Sequence, residues 1–112
     1  MLERDFQRGL IKELKDRYPG CIVLKNDANY KGGIPDLTIL YKDFWAVLEV
    51  KASEKEALKK TTGARANQPR YVKRLNEMSF ASYIFPENKE EILHELDKHF
   101  ARSVFTKPTS MA

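Results

Sequence analysis

Asp36, Glu49 and Lys51 have the residue types and spacing to hold a divalent cation beside a cationic side chain. They border two runs rich in β-branched and aromatic residues, 36–41 and 44–52, separated only by Lys42-Asp43, and this pattern predicts a hairpin. With a two-residue turn, Tyr41 pairs with Phe44, and counting outward sets Asp36 directly across from Glu49. Because side chains alternate, Asp36, Thr38, Leu40, Trp45, Val47, Glu49 and Lys51 share one face. Leu37, Ile39, Tyr41, Phe44, Ala46, Leu48 and Val50 form the other, which is apolar enough to pack on a core. Directly opposed positions hold their Cβ atoms roughly 4.5–5.5 Å apart, close enough for two carboxylates to grip one cation. Such hard oxygen ligands suit Mg²⁺ or Mn²⁺. Lys51, on the same face, could reach an attacking water or a phosphate oxygen, and metal, carboxylates and lysine together suit phosphodiester hydrolysis. A one-residue slip would send Glu49 and Lys51 to the face opposite Asp36.

Taken singly, each residue has an ordinary reading. Pro35-Asp36 suits a turn entering a strand, and Glu49 with Lys51 suits an ion pair on a solvated strand. Glu3 borders the buried stripe of the first helix, where it can reach inward or simply favour the helix dipole. The register joining Asp36 to Glu49 gives the constellation its weight.

Gly33-Ile34-Pro35-Asp36, thirteen residues before Glu49, followed by Glu49-Val50-Lys51, resembles the PD-(D/E)XK nuclease superfamily. The Gly-Ile-Pro-Asp form, Glu3 on the opening helix and Gln68 after a basic stretch resemble the VRR-NUC family within it, from about Glu3 to Phe100. The resemblance implies Asp36, Glu49 and the Val50 carbonyl as metal ligands and Lys51 as the catalytic lysine. It also implies Glu3 as a helix-borne acid and Gln68 as a residue of the bordering helix. Ser79-Phe80 stands where that family commonly has a glycine before its last strand.

The elements that must position these residues read as helix, three strands, helix, strand, helix, an α/β domain with a restriction-endonuclease-like core: a mixed sheet flanked by helices. Leu2, Phe6, Leu10 and Leu14 recur every four residues and predict an amphipathic helix over 2–17, ended by Pro19-Gly20. Residues 21–24 form a short apolar strand, and 27–33 a polar loop. Residues 53–66 are polar, basic, and either mobile or briefly helical. Asn67 is placed to cap a helix bearing Tyr71, Val72, Leu75 and Met78 on one face. Residues 82–85 form a strand, and Asn88 is placed to cap a last helix that turns Ile92, Leu93, Leu96 and Phe100 to the core. His94 and His99, five apart, are expected at the surface, Trp45 is expected to pack, and 103–112 reads as weakly structured.

At 112 residues, 42% hydrophobic and 32% charged, the chain suits one domain, 1–112, and is not a disordered segment. No apolar run approaches the ~18 residues of a membrane span, and the charged N-terminus lacks a signal-peptide core, so an intracellular location is expected. Cys21 is the only cysteine, which excludes an internal disulfide. The net charge of +4 is concentrated: residues 53–74 carry seven basic and two acidic residues. Such a stretch suits either a solvated face or a polyanion. Lys25, Lys31, Lys55, Lys59, Lys60, Arg65, Arg70, Lys73 and Arg74 are the candidate phosphate contacts.

The expected function is a Mg²⁺- or Mn²⁺-dependent, structure-selective DNA endonuclease acting on branched DNA, with four-way junctions as the expected substrate. The alternatives are a non-catalytic nucleic-acid-binding module, or a nuclease of duplex, flap or single-stranded DNA. Symmetric cutting of a junction needs two active sites, so a homodimer is expected, with Phe80, Tyr83, Phe85, Val104 and Phe105 as interface candidates.

Overall fold

A computed structural model describes residues 1–27, 32–59 and 67–102. Lys31, Lys60, Arg65, Val104, Phe105 and the 103–112 tail lie outside the described residues. The elements run α1 (Glu3–Arg17), β1 (Ile22–Lys25), β2 (Leu37–Tyr41), β3 (Phe44–Val50), α2 (Glu54–Leu58), α3 (Gln68–Met78), β4 (Ala81–Ile84) and α4 (Lys89–Phe100). This is the expected order with one short helix, α2, added. Ser53 starts α2, its Oγ accepting the Glu56 N–H at 3.2 Å.

The chain forms an α/β fold around a four-stranded mixed sheet in the order β1-β2-β3-β4. The first three strands are antiparallel neighbours, while β4 runs parallel to β3. A parallel neighbour requires a crossover, which α2 and α3 supply. The hairpin register is the one expected: Tyr41 faces Phe44, Ile39 faces Ala46 and Leu37 faces Leu48. Lys42 makes the turn with φ +56°, a left-handed conformation unusual for a lysine, and its ammonium lies 5.2 Å from the Tyr41 ring centroid.

Leu37, Ile39, Ala46, Leu48 and Val50 are fully buried, and the helices pack on them through Phe6, Leu10 and Leu14 of α1 and Leu93, Leu96 and Phe100 of α4. Leu2 departs from the expected stripe: it is 58% exposed because the helix begins one residue later and leaves it at the cap position. Arg17 and Tyr18 close the far end of α1 onto α4, with Arg17 Nε at 2.8 Å and the Tyr18 hydroxyl at 2.6 Å from Asp97 Oδ1. The arginine's hydrogen bonds hold the Asp97 carboxyl below its ordinary range.

Among the described residues, the second face of the sheet is covered by α3, over β4 and β3. Tyr71, Val72 and Leu75 are half-buried there, but Met78 is 62% exposed, on the last turn before the chain bends at Ser79. The only buried side chain of α3 is Gln68. No described helix is long and apolar enough to cross a membrane.

Both expected asparagine caps are absent. Asn67 has helical dihedrals and makes no capping bond, and Pro69 behind it removes one of the donors a cap would serve. Asn88 instead turns back, accepting the Phe85 N–H at 2.8 Å and donating to the Tyr83 carbonyl at 3.3 Å. His99 is also not a surface residue: it is buried, and its Nε2 lies 2.9 Å from the Trp45 carbonyl, which also accepts from the Ser79 hydroxyl. Its position three residues after Leu96 turns it toward Phe44 and Phe80, and burial lowers its pKa. His94 is exposed as expected, and Trp45 is half-buried. Ser79 has φ −153°, outside the left-handed region that favours glycine.

Gly33 joins the loop before β2 to α3. Its φ is +88°, and a Cβ would lie 2.9 Å from both Asn67 Cβ and Tyr71 Cδ2. Gly33→Ala should therefore lower stability by about 1–3 kcal/mol, through backbone strain and collision together. Thermal melting checks this, and a melting temperature within a degree of the parent would contradict it.

Candidate active site

Continuing the hairpin register by one pair beyond Leu37 and Leu48 sets Asp36 opposite Glu49, and by two sets Pro35 opposite Val50. Pairs flanking a two-residue turn exchange hydrogen bonds at Tyr41–Phe44, Ile39–Ala46 and Leu37–Leu48. Asp36–Glu49 is thus a non-hydrogen-bonded pair, the closer-spaced kind. Val50 N–H does not follow the ladder and instead donates to Asp36 Oδ2 at 2.9 Å. In an extended strand, N–H and C=O of one residue point to the same side, so the Val50 carbonyl also faces β2. Pro35, with no N–H, cannot claim that carbonyl.

Glu49 is 2% exposed and Lys51 5%. Lys51 Nζ lies 3.3 Å from Glu49 Oε2 and donates to Gln68 Oε1 at 3.1 Å. Its backbone N–H is held by the Ile84 carbonyl at 3.0 Å, which fixes the strand end from which the ammonium projects. Glu49 Oε1 is buried without a hydrogen-bond partner, the one such side-chain atom among the described residues. Leaving a carboxylate oxygen unpaired in the interior is costly. Burial first, then the Asp36 charge, raises the Glu49 pKa to about 7 from an ordinary 4.5; Lys51 opposes the rise and Glu3 adds to it.

Asp36, Glu49, Lys51, Gln68 and the Val50 backbone are thus brought together. Glu3 is half-buried on the first turn of α1, and its carboxylate is close enough to be felt at Glu49. The basic residues divide differently. Arg70, Lys73 and Arg74 are exposed along α3, the helix that begins at Gln68, and Lys55 and Lys59 are exposed on or beside α2. Lys59 is engaged by Glu56 at 2.9 Å. Lys25 pairs with Leu37, which puts it on the sheet face opposite Asp36 and away from the site.

Two neighbours escaped sequence reasoning. Tyr83, expected at an interface, pairs with Glu49 across β3 and β4, and burial together with the Glu49 charge raises its pKa. Only the position of β4, invisible in a pattern of apolar residues, could have revealed this. Asn26 lies one residue past β1 and bonds to the segment carrying Asp36. Phe85 is buried and unavailable as a contact, and Phe80 packs partly against the core.

Among the described residues no three His, Cys, Asp or Glu side chains gather as a metal cluster. The donor set is two carboxylates, one with an unpartnered oxygen, and a backbone carbonyl. That hard-oxygen set fits an ion that keeps several waters, such as Mg²⁺ or Mn²⁺, better than one needing a closed protein cage.

The raised Glu49 pKa has a definite sign. Between about pH 4.5 and 7 the metal-free folded chain keeps a proton that the unfolded chain has released, so stability should fall as pH rises through that window and level off above it. Denaturant titrations from pH 4 to 9 should show Glu49→Gln flattening this slope by on the order of 2 kcal/mol. An identical slope in parent and variant would contradict the assignment.

No family model matches the chain, and no curated protein or solved structure is similar enough to match it.

Proposed function

We propose that the chain is a metal-dependent DNA endonuclease with a restriction-endonuclease-like core of the PD-(D/E)XK, VRR-NUC type, acting on branched DNA. The observation that carries this reading is the buried, unpartnered Glu49 Oε1, one residue pair across from a second carboxylate and beside a buried lysine. A structural ion pair has no use for an orphaned oxygen at that cost, whereas a cation ligand does. The three-strand meander followed by a parallel fourth strand supports the core assignment.

Asp36, Glu49 and the Val50 carbonyl would hold Mg²⁺ or Mn²⁺. A bound ion of this kind would polarise a phosphoryl oxygen and make water a better nucleophile at neutral pH. Lys51, oriented by Gln68 and Glu49, donates to the phosphate and offsets the negative charge that grows on it. Arg70, Lys73 and Arg74 on the same helix as Gln68 supply a cationic approach for the DNA backbone. Glu3 borders the site as a third acid.

Labelled four-way junction, flap, single strand and duplex, incubated with Mg²⁺ or Mn²⁺, test the reading. Cutting of the junction, blocked by EDTA, is expected. Asp36→Ala, Glu49→Gln and Lys51→Ala should each lower the rate by about 10²-fold or more. The first two should bind DNA as well as the parent or better, since each removes a negative charge. Cutting of another substrate alone would keep the nuclease and discard the junction. DNA retention without cleavage under any metal would favour the binding-module alternative.

Two active sites for one junction call for a homodimer. The exposed aliphatic residues Ile22, Leu24 and Leu40 lie on one face of β1 and β2 and offer the apolar contact that Phe85 cannot. Sedimentation should show a dimer at micromolar concentration that Leu40→Lys weakens. A monomer with and without DNA would exclude it.

A further inference from the structure

We propose that Asn26 is a positioning residue for the Asp36 carboxylate, acting by drawing the Pro35 carbonyl out of the hairpin ladder so that Val50 N–H binds Asp36 instead. This rests on the metal-site reading of Asp36 and Glu49 given above.

The hairpin's hydrogen-bonded pairs recur at every second residue, and after Leu37–Leu48 the next is Pro35–Val50. In a regular ladder Val50 N–H would donate to the Pro35 carbonyl. That carbonyl instead accepts from Asn26 Nδ2 at 2.8 Å, which draws it toward β1. The same amide nitrogen donates its second hydrogen to Thr38 Oγ1 at 2.9 Å. The backbone N–H of Asn26 donates to the Asp36 carbonyl at 2.8 Å. One residue therefore holds the chain at positions 35, 36 and 38, on both sides of the Asp36 side chain. Val50 N–H, released from the ladder, reaches Asp36 Oδ2 and turns that carboxyl toward β3 and Glu49.

The amide is chemically specific for this task. Its N–H groups go to a carbonyl and a hydroxyl, so an ionised carboxylate of the same shape could meet Thr38 only by accepting from its hydroxyl and could not bond the Pro35 carbonyl at all. Partners that orient metal-binding side chains typically change metal affinity or activity by about 10–100-fold when removed. Asn26 does not touch the substrate in this arrangement; its effect passes entirely through Asp36.

The test uses the full chain and two variants, Asn26→Ala and the isosteric Asn26→Asp, both of which retain the backbone N–H. Binding of Mn²⁺, followed by electron paramagnetic resonance, should weaken about 10-fold in both. In the metal-free protein, the Val50 amide resonance should move in both variants and in Asp36→Ala, since each loosens or removes its acceptor. On DNA, kcat should fall and recover at higher Mn²⁺, with KM unchanged. A lowered melting temperature with unmoved Mn²⁺ affinity and an unmoved Val50 amide would reduce Asn26 to a packing residue and overturn the proposal. A parent protein that binds Mn²⁺ but cuts no DNA would overturn the nuclease reading alone and leave the role of Asn26 standing. A parent that binds no Mn²⁺ would overturn both.

Discussion

The pairing of Tyr41 with Phe44 across a two-residue turn is the constraint on which the rest depends. Once that pair forms, each step away from the turn assigns two residues to a face and decides whether their backbone groups are exchanged. Five steps out, it sets two acids opposite one another at the closer spacing, and six steps out a proline opposite Val50. The core requires the same parity, because only then do Leu37, Ile39, Ala46, Leu48 and Val50 all lie under α1 and α4, and the two-residue turn selects this register from those of that parity. Packing energy from one side of the hairpin thus fixes the electrostatics of the other.

Those electrostatics are unfavourable by themselves. A carboxylate and an ammonium almost removed from water, a second acid across the strand and a third at the helix start are costly to bring together. Lys51 answers Glu49, and Gln68 answers Lys51, yet one oxygen remains unanswered. The compensating stability comes from elsewhere: the aliphatic core, the rings of Tyr18, Tyr41 and Phe100 at 4.9–5.5 Å, and the Arg17–Asp97 tie. The costly site is held by a fold whose strongest packing lies on the opposite face of the sheet.

Alternation over the hairpin together with its two-residue turn made the Asp36–Glu49–Lys51 arrangement legible in the sequence, since burial of one face fixes the parity and the turn fixes the register. Gln68 was legible only through resemblance, because a polar residue on the first turn of a helix ordinarily faces water. Other features were hidden for physical reasons. Asn88 and Asn67 read as caps from local sequence, but the loop after β4 and Pro69 decide how those helix ends are satisfied. The five-residue spacing of His94 and His99 carries no information on burial, whereas the three-residue step from Leu96 places His99 on the buried side of α4. Lys25 has the charge of a phosphate contact, but strand parity puts it on the wrong face. Tyr83 and Asn26 depend on which strands become neighbours, and that information is non-local.

Pro35 gives the ladder a defined end, and the turn at Lys42-Asp43 gives it the other. Between these limits the two strands behave as a gear train with a fixed number of teeth. A one-residue slip of one strand against the other would invert the faces of that strand and carry Glu49 away from Asp36. A residue added inside the turn can instead be taken up as a three-residue loop that leaves the pairing as it is. Length variation is therefore harmless while it stays in the loop, and reaches the chemistry at the far end of the sheet only when a strand has to absorb it.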